Sequence, residues 1–143
     1  MSTDANVVAR PEELESLLGN DSALRAAIAP QADIVASKVF SWGQLFAGDC
    51  VQINGTLTLQ SNGIAHFTSV VWTNTTHSGD YWWSGFEFLD GNQVSLGSER
   101  YHTGPRMDDG NGGPSPRYYF NFDFNFNPAI YNTVAYVRQG YKC

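Results

Sequence analysis

Charge is scarce in this sequence. Acidic and basic side chains make up 15% of its 143 residues, against about a quarter in an ordinary soluble domain. Only two lysines occur, Lys38 and Lys142, and the formal net charge is −6. A surface of that sign repels phosphate backbones, which excludes a basic nucleic-acid module. Long apolar runs are missing too: none approaches the ~18 residues of a membrane-spanning helix. Cysteine is confined to Cys50 and Cys143, without the Cys-x-x-Cys spacing of a redox motif. The three histidines, His66, His77 and His102, do not show the close His-to-His spacing of a metal site. No phosphate loop or nucleophile motif occurs either. Neither a metal nor a cofactor is expected.

The chain that remains is aromatic (14%) and rich in glycine (14 residues), and its length suits a single folded core. Its composition changes near Ser37. Residues 1–37 hold six acids, two bases and no aromatic side chain, and Phe40 is the first ring. Residues 1–37 are therefore read as an acidic extension and 38–143 as the main domain. The extension has no basic start and no apolar stretch of a secretory signal. It reads as two short helices. Pro11 suits a first helical position, Glu12, Glu13 and Glu15 suit the first turn, and Leu14, Leu17 and Leu18 form a stripe up to Gly19. Asp21 or Ser22 caps the second, with Leu24, Ala27 and Ile28 on one face before Pro30. Two roles are open for residues 11–29: helices that pack over one end of the sheet structure, or a separable segment that docks on a protein partner.

From Lys38 onward the apolar period is two. Val51 and Ile53 alternate with Gln52 and Asn54, and Leu57 and Leu59 with Thr56, Thr58 and Gln60. Ser61-Asn62-Gly63 and Asp90-Gly91-Asn92 are turns. Further strands are expected over Ile64–Trp72, Tyr81–Leu89, Arg117–Phe126 and Val134–Arg138, with a loop over Gly104–Pro116. Seven or eight short antiparallel strands predict a mainly β fold, a barrel with a short helical N-terminal extension. The segment 118–126 is the most informative. Phe120, Phe122, Phe124 and Phe126 share one face, and Tyr119, Asn121, Asp123 and Asn125 share the other. One face must be buried, because a one-residue slip would expose all four phenylalanines.

A bond between Cys50 and Cys143 would tie the chain's last residue to an early strand and imply an oxidising compartment. A secreted or extracellular location then follows; two free thiols in the cytoplasm are the alternative. Phe40-x-Trp42, Gly48-Asp49-Cys50, Thr56-Leu57-Thr58-Leu59, Ser61-Asn62-Gly63 and the terminal Cys143 resemble a family of small, mostly actinobacterial secreted β proteins. The resemblance covers residues 38–143. It implies a calycin-like barrel and no particular activity.

The residues available for chemistry are few. His77 and Asp80, with Asp123, could form an acid–base group if the fold brings them together. Trp72, Tyr81, Trp82, Trp83, Tyr101 and Tyr119, with Asn121, Asn125 and Arg117, could hold a ligand by ring stacking and hydrogen bonds. Two functions are therefore open. One is a binding domain for a small molecule or glycan; the other is a cofactor-independent enzyme of cyclase or isomerase type acting on a small molecule or peptide. Which face of 118–126 is buried decides whether an interior cavity exists.

Overall fold

The computed structural model describes residues 5–9, 11–13, 35–74, 79–110 and 112–143. Among these residues eleven strands occur in chain order: β1 (Ala5–Ala9), β2 (Pro11–Glu13), β3 (Ser37–Trp42), β4 (Leu45–Ala47), β5 (Cys50–Gln60), β6 (Ile64–Thr73), β7 (Asp80–Leu89), β8 (Ser95–Met107), β9 (Tyr118–Tyr119), β10 (Phe122–Asn125) and β11 (Tyr136–Lys142). A 3-10 helix, Pro128–Thr133, precedes β11.

The fold is mainly β and antiparallel, as expected, but the strands make two sheets and no closed barrel. One has the order β1-β11-β7-β8; the other runs β10-β6-β5-β3-β2, with β4 added to β5 and β9 to β6. Barrel closure would need ladder hydrogen bonds at both margins, between β8 and β10 and between β1 and β2, and neither pair is bonded. Side chains fill the first gap instead: the His102 ring of β8 stacks on Phe122 of β10 with centroids 4.0 Å apart. The pairing of β8 with β7 also breaks register at three places, which bends the strand. β8 runs on to Met107, so Gly104–Met107 is strand where a loop was expected.

The expected first helix is absent at its start. Pro11–Glu13 is β2, paired antiparallel with Phe40, Val39 and Lys38 of β3. Proline is tolerated there because β2 is an edge strand and needs no donor on its outer side. β1 pairs with β11, so residues 5–9 and 11–13 extend one sheet each. The rest of the expected helical segment, residues 14–34, lies outside the described residues.

The segment 118–126 buries its phenylalanines. It keeps one register against β6 from Tyr118↔Val71 to Asn125↔Ile64, split into β9 and β10 where Asn121 turns its side chain onto the Ser69 N–H. Phe120 and Phe124 are buried, and Phe122 and Phe126 pack against the same core. The rings continue across the sheets: Phe67–Phe86 at 5.1 Å, Phe86–Phe124 at 5.9 Å and Phe88–Phe126 at 5.8 Å between centroids. Each such buried side chain stabilises the fold by roughly 1.5–3 kcal/mol, and the rings occupy the space an interior ligand would need.

β5 departs from its expected alternation. A bulge between Ile53 and Thr56 adds a residue, and Asn54 takes a positive φ of 56°. The inward face therefore passes from Cys50 and Gln52 to Leu57 and Leu59, with Val51 and Ile53 on the opposite side. Gln52 is buried, and its amide needs partners. It finds Gln139 of the other sheet, which also reaches Ser84 Oγ at 2.9 Å; Trp82 Nε1 donates to the same oxygen at 2.9 Å. At the other end of the core, Lys38 is turned inward and donates to the carbonyls of Tyr131 and Val134 at 2.7 and 2.9 Å, holding the 3-10 helix.

Cys50 and Cys143 are disulfide-bonded with Cα atoms 6.2 Å apart. With a sequence separation of 93, the chain-entropy model gives about 4–5 kcal/mol of stabilisation. Among the described residues, no helix is long and apolar enough to cross a membrane.

Candidate functional site

Strict alternation along β7 puts Tyr81, Trp83, Gly85 and Glu87 on the outer face of the four-stranded sheet, with Trp82, Ser84, Phe86 and Phe88 turned inward. The antiparallel partner β11 supplies a matching row. Trp83 faces Lys142, Gly85 faces Gly140, and Glu87 lies opposite Arg138. Two directly opposed glycines, both buried, leave no side chain in the middle of this row.

The result is a shallow trough of about 140 Å³, bordered by Gly85, Glu87, Glu99, Tyr101, Arg138 and Gly140. Its ends differ chemically. At one, Arg138 Nη1 donates to Glu87 Oε1 at 2.9 Å. At the other, Lys142 Nζ sits 4.5 Å over the Trp83 ring and 5.0 Å from the Tyr101 ring centre. Trp83 Nε1 is sealed from solvent and makes no hydrogen bond. Glu99 forms part of the wall and is held by His102 Nε2 at 3.2 Å and by the Arg100 N–H at 3.1 Å. Gly85 cannot be replaced cheaply. A Cβ there would lie 3.0 Å from the Glu99 carbonyl oxygen and 3.2 Å from the Tyr101 nitrogen, where β8 crosses closely.

Three of the nine side chains expected to hold a ligand, Tyr81, Trp83 and Tyr101, thus share one sheet face. Tyr81 and Tyr101 are about two-fifths exposed. Trp82 does not join them; it is fully buried and stacks on Tyr141 at 5.3 Å. Tyr141 is itself buried, and desolvation pushes its hydroxyl pKa above the ordinary value.

The other expected residues belong to the outer face of the second sheet or to its rim. Arg117 covers the ring of Trp72 at 3.6 Å, so each occupies the other's free face. Tyr119 is 81% exposed. Asn121 accepts from the Ser69 N–H, and Asp123 meets His66 Nδ1 at 2.6 Å. Asn125 borders a separate cleft of about 220 Å³ between the sheets, with Phe88, Leu96, Glu99, Phe126 and Ile130.

The expected acid–base group is not brought together among the described residues. Asp80 binds Thr73 Oγ1 at 2.8 Å, while Asp123 binds His66. Thr73 and His66 are separated by seven steps of β6, about 23 Å along a strand. His77 lies outside the described residues.

Glu87, Arg138, Lys142 and the glycine pair were not singled out from the sequence. The signal exists in Trp83-Ser84-Gly85-Phe86-Glu87 and Arg138-Gln139-Gly140-Tyr141-Lys142, where charge, glycine and cation or ring recur at alternate positions. It acquires meaning only when the antiparallel register of the two segments is known.

No curated protein matches the chain. One solved structure, the enzymatically active domain of tailspike protein 4 of bacteriophage CBA120, aligns at 9% identity with a TM-score of 0.27. The alignment covers 99% of this chain and 17% of that one, and the likeness is too slight to inform fold or function. A family model matches residues 56–143, and so leaves out Phe40-x-Trp42 and Gly48-Asp49-Cys50. Its description mentions neither a calycin-like barrel nor an actinobacterial group. The match spans well over half of the residues, and the chain belongs to that family, a family of unknown function designated DUF6294.

Proposed function

We propose that the protein is a non-catalytic glycan-binding domain that seats a sugar unit in the Gly85–Gly140 trough. The observation that carries this reading is the directly opposed glycine pair, which opens a trough beside Tyr101 on an otherwise side-chain-covered sheet. A sugar ring has a flat C–H face and a polar edge of hydroxyls. The ring of Tyr101 offers a surface for the first. The Glu87 carboxylate and Arg138 guanidinium offer an acceptor and donors for the second, and their mutual ion pair holds both in place. Exposed Tyr81 extends the same face and would contact a neighbouring unit of a chain.

A binding role is favoured over catalysis because Asp80 and Asp123 serve different neighbourhoods, and because aromatic rings fill the interior. An oxidising, extracellular setting suits the reading and is supported by the Cys50–Cys143 bond.

The test is calorimetric titration with soluble neutral and acidic polysaccharides, using wild type, Gly140→Val and Tyr101→Ala. Valine is a good strand residue, so Gly140→Val fills the trough while suiting a strand conformation. Each variant is expected to lose about tenfold or more in affinity, the effect of 1.4 kcal/mol at an aromatic or shape-determining contact. Absence of binding across the panel, or wild-type affinity in both variants, overturns the proposal.

A further inference from the structure

Away from the trough, three ligand-bearing side chains meet where β5, β7 and the residue following β11 come together. Cys50 Sγ, Cys143 Sγ and an Asp80 carboxylate oxygen all lie within 4.8 Å of one another. Asp80 is at the first position of β7, and Thr73 Oγ1 donates to its Oδ2 at 2.8 Å. The same Oδ2 is 3.6 Å from Cys50 Sγ. Cys50 is fully buried, and Cys143 and Asp80 are half-buried.

These distances suit a particular ion. Zn²⁺ takes thiolate sulfur at about 2.3 Å and carboxylate oxygen at about 2.0–2.2 Å in a tetrahedron. Sulfur and oxygen ligands of one such ion are then about 3.5–3.7 Å apart, and two sulfurs about 3.8 Å apart. The Cys50–Asp80 separation already has that value. The Cys50–Cys143 separation does not, because the sulfurs are bonded to each other.

We propose that this corner of the protein is a latent zinc site, closed by the disulfide in the oxidised chain and opened by its reduction. The chemistry balances with a dithiol as reductant. It reduces the Cys50–Cys143 bond to two thiols and is itself oxidised to a disulfide. Zn²⁺ then displaces one proton from each thiol, Asp80 adds as a third ligand without proton release, and water takes the fourth position. Two thiolates favour zinc over hard cations such as Mg²⁺ and Ca²⁺. Thr73, by holding Oδ2, orients the carboxylate as an outer-shell partner does in other metal sites. The same two strands are thereby tied together in either state, by a covalent bond when oxidised and by an ion when reduced.

The experiment compares oxidised and dithiol-reduced full-length chain, wild type and Asp80→Ala, after removal of excess reductant under nitrogen. Zn²⁺ is titrated in competition with a chromophoric chelator, and Co²⁺ serves as a spectroscopic probe of thiolate ligation. Reduced wild type is expected to bind one ion per chain with a thiolate-to-cobalt charge-transfer band, and oxidised protein to bind none there. Asp80→Ala is expected to weaken binding at least about tenfold, the lower end of what loss of an outer-shell partner costs. Circular dichroism accompanies each titration. A reduced chain that regains its β spectrum only on adding Zn²⁺ supports the site as well. Failure of the reduced wild type to bind Co²⁺ through sulfur overturns the proposal, as does equal affinity in Asp80→Ala.

Discussion

Gln52 and Gln139 exchange amide hydrogen bonds across the space between the two sheets, at 3.2 and 2.8 Å. Both side chains are fully buried. They form part of a polar network inside an aromatic core, continued by Ser84 and the Trp82 indole. A network of this kind is neutral when complete and costly when broken.

Gln139→Leu is therefore expected to destabilise the protein more than the loss of a hydrogen bond alone, since it strands the Gln52 amide away from water. A cost of about 1–3 kcal/mol for each orphaned group is anticipated. The double variant Gln52→Leu/Gln139→Leu should recover much of that loss, because neither amide is left behind. Urea unfolding of the two single variants and the double variant measures this as a coupling energy. Strictly additive losses would show that the pair does not act as a unit. Gly55→Ala gives an independent check: its Cβ would fall within bonding-clash range of Gln52 Nε2 and should destabilise by the same route.

The direction of the segment 118–126 is testable by two truncations. Phe124→Ala removes a ring that contacts Phe86 and Phe88, and should cost about 3–5 kcal/mol. Tyr119→Ala removes a ring that is mostly in solvent and should stay within about 0.5 kcal/mol of wild type. Thermal or denaturant unfolding of both variants decides it, and similar losses in the two would contradict the burial of the phenylalanine face.

Alkaline pH should destabilise the fold through Tyr141. Burial raises its pKa above the ordinary tyrosine value of 10.0, so the native state holds the proton more tightly than the unfolded state. The native chain then binds more protons over that interval, and stability falls as pH rises. The contribution is complete below pH 10.0 and is lost as pH climbs from there toward the native pKa. Denaturant midpoints measured from neutral pH upward should decline above pH 10 in wild type, and Tyr141→Phe should flatten that part of the curve.

Much of the β architecture was legible because it is written in local alternation. The Phe120–Phe126 row and the Asn62-Gly63 turn specify a face and a reversal without reference to distant residues; Gly63 has a φ of 90° and its N–H bonds to the Gln60 carbonyl at 3.0 Å. What stayed hidden depends on pairing. A bulge at Asn54-Gly55 reverses the facing of β5, and nothing in the apolar pattern distinguishes it from continuous alternation. Closure into a barrel or separation into two sheets depends on whether the edge strands bond, β8 with β10 and β1 with β2, which no strand reveals by itself. The helical reading of Pro11–Glu13 followed from good helix-start chemistry, but an open edge on β3 offers a short segment more hydrogen bonds than an isolated turn can. The candidate trough was half legible: its aromatic residues stood out, while its glycines and ion pair required the β7–β11 register.

The stacked His102 and Phe122 rings have a mechanical consequence. They mark a seam where the sheets meet edge to edge without a ladder, whereas at the opposite margin a single residue, Arg10, separates β1 in one sheet from β2 in the other. Parting that seam disrupts ring contacts but no strand-to-strand hydrogen bond between β8 and β10. Transient separation of the two sheets should therefore begin at the seam, which also borders the cleft beside Leu96 and Ile130. Amide hydrogens along β8 and β10 would exchange with solvent before those at the centre of β5 and β7.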